Sequence, residues 1–229
     1  MTTYVVLNQK GGVGKTTLAA NLAAVFASAI APVGDDDTDS PVLLASIDPQ
    51  GSAVWWAERA AELPFRFSAV NQEGILPRVP SLPGVEHVFI DTPGWIGDTQ
   101  DYASEGLAGR LLDEALSIAD MAIVPITPEA LSFDPTARTI RDLLEPRGIP
   151  FKVVVNQWDP RDGDRDLNQT RDFVNRSGWP LSHAVIRRYK VHSHAAAKGQ
   201  VVTDYPDNKV SVRAVRDFEQ LALALKVGA

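Results

Sequence analysis

Seven short apolar runs, separated by helical patterns, constrain this chain more than any other feature. The runs are Tyr4–Leu7, Val42–Ile47, Phe65–Val70, His87–Ile90, Met121–Ile126, Phe151–Val155 and Leu181–Ile186. Several are almost unbroken stretches of Val, Ile, Leu and Phe, the mark of strands covered on both faces. Between them lie helical patterns at Thr16–Ile30, Ser52–Glu62, Ala103–Ile118, Phe133–Glu145 and Leu167–Ser177. A last one, Val212–Leu225, has Val212, Val215, Phe218, Leu221 and Leu225 on one face. Parallel strands need long crossovers, and these spacings supply them. The expectation is an α/β fold: a doubly wound, mostly parallel sheet with helices on both faces. At 229 residues the chain suits one domain spanning 1–229.

Composition removes several function classes. There is no cysteine, so disulfides, thiolate zinc sites and cysteine-ligated iron–sulfur clusters are excluded. No apolar run approaches the roughly 20 residues that cross a bilayer. The first residues lack a basic n-region and a cleavage site, so no secretory signal is read and a cytoplasmic location is expected. Net charge is −7, but residues 181–229 hold eight Lys or Arg against four Asp or Glu, a local balance of +4. That distribution fits a mixed solvated surface, and also an acidic body with a cationic face. The segment Pro32–Pro41, with Gly34, Asp35, Asp36, Asp37 and Asp39, reads as a solvated acidic loop. Gly74–Gly84 reads as a connection. His192 and His194 have no nearby carboxylate cluster in sequence and read as surface residues or as residues supporting a site from behind, not as zinc ligands.

Residues 9–17, Gln-Lys-Gly-Gly-Val-Gly-Lys-Thr-Thr, follow the first predicted strand and open the first predicted helix. That context turns a glycine-rich string into a phosphate-binding expectation. Gly11, Gly12 and Gly14 let successive N–H groups of Lys10–Thr17, Val13 included, curl around a polyanion. The helix adds the positive end of its dipole. Lys15 reaches β- and γ-phosphates as a point charge, Thr16 offers a hydroxyl to Mg²⁺, and Thr17 donates to the α-phosphate. ATP and Mg²⁺ are the expected ligands.

With Lys10, the string Lys-Gly-Gly-Val-Gly-Lys-Thr-Thr resembles the deviant Walker A motif of the family that includes ParA partition ATPases, MinD and the nitrogenase iron protein. The resemblance implies that Lys10 crosses a dimer interface to the partner's nucleotide, so that Lys10 and Lys15 both serve catalysis. Asp48-Pro49-Gln50-Gly51 looks like the ParA element whose Asp positions the attacking water, which assigns that role to Asp48. Many relatives carry another Asp two positions earlier, where this chain has Ser46. Val88–Gly94 resembles a Walker B strand running into a switch. It implies that Asp91 holds Mg²⁺, directly or through water, and that Gly94 and Gly97, flanking Trp95, let the switch move. Asp120–Pro128 resembles the family strand ending in Pro-x-x-Pro. Asn156 follows the sixth run; it is either a turn residue or, as the resemblance implies, a reader of the adenine edge. Trp55 and Trp56 read as packing residues near the dimer face, not as nucleotide stackers.

The resemblance is narrowed by exclusion. Without cysteine the iron–sulfur members do not fit. The end of the chain, with one lysine, lacks the basic face of a membrane-surface helix, so no membrane is expected. The stretch around Val185–Val191 resembles the ParA region that binds nonspecific double-stranded DNA. It implies phosphate contacts by Arg187, Arg188 and Lys190, extended by Arg213 and Arg216 one helical turn apart. No helix-turn-helix precedes the phosphate loop, as in the short plasmid-type class. The implied protein is a DNA-partition ATPase at the nucleoid. It forms a homodimer on ATP, binds DNA in that state and is released by hydrolysis under a ParB-like centromere-binding stimulator. The alternatives are a MinD-like membrane-cycling regulator, a ParA-like positioner of a protein cargo, and a nucleotide-gated switch with negligible turnover.

Overall fold

A computed structural model describes residues 1–30, 40–94, 106–206 and 208–226. The acidic-loop residues Gly34 to Asp37 and Asp39, and the switch residues Trp95 and Gly97, lie outside the described residues. Seven strands form one parallel sheet: β1 (Thr2–Val6), β2 (Val42–Ser46), β3 (Arg66–Ala69), β4 (His87–Asp91), β5 (Met121–Ile126), β6 (Phe151–Trp158) and β7 (Leu181–Arg187). Their order is β3-β2-β4-β1-β5-β6-β7, and every neighbouring pair is parallel.

Alternation along the strands divides the core into two layers. Tyr4 and Val6 of β1 and Phe89 of β4 face one side, against α1 (Lys15–Ala29), α2 (Ser52–Ala57), α6 (Lys190–Ala197) and α7 (Lys209–Lys226). Val5 of β1 and Val88 and Ile90 of β4 face the other, against α3 (Gly106–Ser117), the segment from α4 (Phe133–Arg138) to Leu144, and α5 (Arg165–Arg176). Two apolar faces per strand explain why the runs read as nearly unbroken. Helix α1 is buried from Leu18 to Phe26, as expected of a helix apolar all round. Its Asn21 is satisfied by donating to Thr17 O and accepting from Val202 N.

All seven expected strands are present; helix α6 was not expected, and three of the expected helical stretches differ in extent or form. The stretch expected to be one helix to Glu145 is α4, then a π-helical turn Thr139–Leu144 and a 3₁₀ turn Glu145–Arg147. Thr139 Oγ1 donates to Pro135 O and accepts from Gln9 N, a side-chain bond of the kind that bends helices. Helix α2 stops at Ala57 because the next turn is pressed onto Gly199, whose φ of 69° and direct backbone contact with Arg59 and Ala60 leave no room for a side chain. Helix α7 starts three residues early because Asn208 Oδ1 accepts from the N–H groups of Val210 and Ser211.

Candidate nucleotide site

The sheet reverses its order at β1, which has β4 on one side and β5 on the other. Ligands of open parallel sheets bind at such switch points, beyond the carboxyl ends of the strands. Register brings three of those ends level, since Val6 pairs with Asp91 and Ser46 also pairs with Asp91. The loops after β1, β2 and β4 therefore converge.

The loop after β1 is anchored by Asn8, which sequence reasoning passed over. Asn8 is buried. Its Nδ2 donates to Pro125 O at 2.8 Å and Thr136 Oγ1 at 2.9 Å, and its Oδ1 accepts from Lys10 N at 2.8 Å. The loop that follows has positive φ at Gly12 and Gly14. Gly14 is required twice over. Its φ is 83°, and a Cβ there would stand 2.7 Å from Asn156 Nδ2 and 2.9 Å from Gln157 Nε2. Gly14 caps α1 without any side-chain hydrogen bond, and the first turn carries no acidic residue. The first N–H groups of the helix thus remain for an external anion. Lys15 is buried and its Nζ donates to Asn8 O at 3.1 Å and Lys10 O at 3.2 Å. Burial lowers its pKa, opposed by the charges of Asp91 and Asp48. The Lys10 ammonium makes no ion pair among the described residues.

Asp91 is fully buried. Thr16 Oγ1 donates to its Oδ2 at 2.8 Å, while Oδ1 has no hydrogen-bond partner among the described residues. Burial pushes its pKa up to about 7; the Thr16 hydrogen bond opposes this, Asp48 adds to it and Lys15 opposes it. A buried carboxylate with an unused oxygen, beside a threonine hydroxyl, fits a hard divalent cation. Among the described residues no group of three or more His, Asp or Glu gathers as a metal cage. Such a cation would need phosphate oxygens to complete its shell, as Mg²⁺ at nucleotide sites does. Asp48 is half-buried, and its Oδ1 accepts from Gln50 N at 3.0 Å, an Asx turn that aims the loop after β2. Gly94 approaches the phosphate loop so closely that a Cβ would lie 3.4 Å from Gly11 Cα.

Two adjoining clefts surround this loop. One brings together Gly11, Gly12, Gly14, Lys15, Thr16, Thr17, Asp48 and Gly94. The other runs past Asn156, Gln157 and Pro160 to Arg188, Tyr189 and Lys190. Asn156 lines this second cleft, and both its amide nitrogen and its amide oxygen are engaged. Nδ2 donates to Val13 O at 2.6 Å, and Oδ1 accepts from Gln157 N at 3.0 Å. In this structure Asn156 braces the phosphate loop. The next residue, Gln157, has a φ of 62° and its Nε2 donates to Gly12 O at 2.9 Å. Sequence reasoning missed Gln157, whose unusual backbone has no local signal.

The expected basic residues are not equivalent. Arg188, Lys190, Arg213 and Arg216 are exposed. Arg187 instead turns inward, its Nε donating to both oxygens of buried Asp217 at 3.0 and 3.1 Å and its backbone N to Oδ2 at 3.1 Å. It ties β7 to α7 and sets the frame on which its neighbours stand.

The profile of the CobQ/CobB/MinD/ParA nucleotide-binding domain matches residues 4–202. A protein of Gloeobacter kilaueensis described as maintenance of carboxysome distribution protein A is 33% identical over 218 residues, 95% of this chain and 90% of that protein. The chromosome-partitioning ATPase Soj of Thermus thermophilus is 30% identical over 181 residues, 67% of this chain and 68% of that protein. In structure, the chain resembles the MinC:MinD cell division protein complex of Aquifex aeolicus, with a TM-score of 0.73 at 19% identity, covering 99% of this chain and 96% of that one.

Proposed function

The chain belongs to the CobQ/CobB/MinD/ParA family of nucleotide-binding domains, and we propose that it is a Mg²⁺-dependent ATPase that positions a cargo by cycling on and off DNA. The observation that carries this reading is the Thr16–Asp91 pair, with its unused carboxylate oxygen, level with a glycine loop that leaves its helix N-terminus bare. Lys15 and the N–H groups of residues 11–17 hold the phosphates. Thr16 and Asp91 hold Mg²⁺, which neutralises charge on the phosphate oxygens. Asp48 orients the water, and Lys10 reaches the nucleotide of a second copy, so that ATP holds a homodimer together. In the dimer, exposed Arg188, Lys190, Arg213 and Arg216 contact DNA phosphates without sequence preference. Hydrolysis, stimulated by a partner protein on the cargo, ends the bound state.

The identity across 95% of the chain with a carboxysome-distribution protein supports a protein assembly as the cargo. The shorter match to Soj supports the second reading, a plasmid or chromosome carried through a ParB-like centromere-binding protein. A MinD-like membrane cycle has less support, because the apolar face of α7 (Phe218, Leu221 and Leu225) is spent on the core.

The test is retention on nonspecific duplex DNA at physiological salt, with ATP or ADP, beside liposomes. Retention with ATP alone, lost in Arg188→Ala/Lys190→Ala, is expected. Binding to liposomes and not to DNA would overturn the DNA cycle in favour of a membrane one. Deleting the gene then separates cargoes: clustering of an evenly spaced protein assembly marks the first, loss of plasmid inheritance the second.

A further inference from the structure

Trp55 and Trp56 are sequence neighbours with different surroundings. Trp56 is buried, 5% exposed, and its Nε1 donates to Gln200 O at 3.0 Å. That bond and the contact of Gly199 with Arg59 and Ala60 fix the end of α2 against the turn after α6. One residue earlier, about 100° around the helix, Trp55 is 45% exposed. Its ring is held by Arg59, whose guanidinium lies 3.7 Å from the ring centroid and whose Nη1 donates to Trp55 O at 2.9 Å. A helical aromatic pinned by a cation on a rigid turn is preorganised, so it loses little freedom when a ligand arrives.

Its position gives this a use. Trp55 lines both the phosphate cleft and the cleft beyond it, and the two share Gly14, Thr17, Trp55, Gln157 and Ala196. A nucleotide with its phosphates on the glycine loop and its base in the second cleft must cross that saddle with its ribose. We infer that Trp55 is a nucleoside-contacting residue, an aromatic wall held by Arg59 against the sugar and base of bound ATP. This rests on the nucleotide-site reading above and replaces the expectation that Trp55 only packs. Aromatic contact is indifferent to the phosphates, so Trp55 contributes to affinity for a nucleotide and not for a polyphosphate.

The experiment is calorimetric titration of the full chain with Mg²⁺ and ATP, ADP or inorganic triphosphate, in wild type, Trp55→Ala and Trp55→Phe. Trp55→Ala loses the Arg59 stacking and should lower the melting temperature slightly, and Trp55→Phe, which keeps a ring under Arg59, less. Trp55→Ala should weaken ATP and ADP about tenfold, Trp55→Phe should retain most of the affinity, and inorganic triphosphate should bind all three alike. Wild-type ATP affinity in Trp55→Ala would overturn the inference. So would an equal loss for inorganic triphosphate, which would make the ring a prop for the phosphate loop. Failure of the wild type to bind ATP or ADP would instead sink the nucleotide-site reading itself.

Discussion

Asp91→Asn should abolish Mg²⁺-dependent turnover and yet stabilise the ligand-free protein. The Asp91 carboxyl has its pKa pushed from 3.8 up to about 7 by burial. Below about pH 4 the folded and unfolded chains both keep this proton. Between about pH 4 and 7 the unfolded chain releases it while the folded chain holds it, so stability falls as pH rises. Above 7 the penalty is constant, at about 4 kcal/mol for a displacement of that size. Asparagine escapes it. Its Oδ1 can still accept from Thr16, but its amino group falls where Oδ1 of Asp91 has no partner, a loss of about 1–2 kcal/mol. The net gain is about 2 kcal/mol at pH 8 and close to nothing at pH 5. The assay is urea denaturation in EDTA at both pH values, then at pH 8 with Mg²⁺ and ATP. Ligand should stabilise the wild type and not the variant, reversing their order. A variant no more stable than wild type at pH 8 in EDTA would refute the account of Asp91 as a buried carboxylate awaiting a cation.

Four other substitutions test the frame around the site. Gly14→Ala combines a left-handed backbone, about 1 kcal/mol, with displacement of the buried Asn156–Val13 hydrogen bond, about 1–3 kcal/mol; urea melts should show a loss of about 2–4 kcal/mol with ATP binding lost. Arg187→Ala strands buried Asp217 and should lower stability by about 3–5 kcal/mol, whereas Arg188→Ala should leave the melt unchanged and weaken only DNA retention. Asn8→Ala removes the anchor of Lys10 and two buried hydrogen bonds, so it should lower both melting temperature and ATP affinity, and an unchanged ATP Kd would remove Asn8 from the site.

Features carried by local chemistry were legible along the chain. The strands are apolar on both faces, the glycine loop stands between a strand and a helix, and Asp91 ends an apolar run. Each needs only neighbours in sequence to be read, because hydrogen-bonding period, glycine backbone freedom and helix polarity act over a few residues. Helix α6 escaped because Lys190–Ala197 is short and shows no clear period. The π-helical turn escaped because Thr139, which bonds Pro135 O and accepts from Gln9 N 130 positions away, reads locally as an ordinary helical residue. The same limit governed the site. Arg187 and Arg188 are alike in sequence, and only the packing of α7 against β7 places Asp217 under one and not the other. The hydrogen bond from Asn156 to Val13 has no local signal, because the two residues lie 143 positions apart. Trp55 and Trp56 differ by a third of a helical turn, and Gln200 and Gly199, held far off in the chain, decide which is core and which faces the cleft. Chain proximity determines which chemistry is present; contacts between distant segments determine which atoms are left free to perform it.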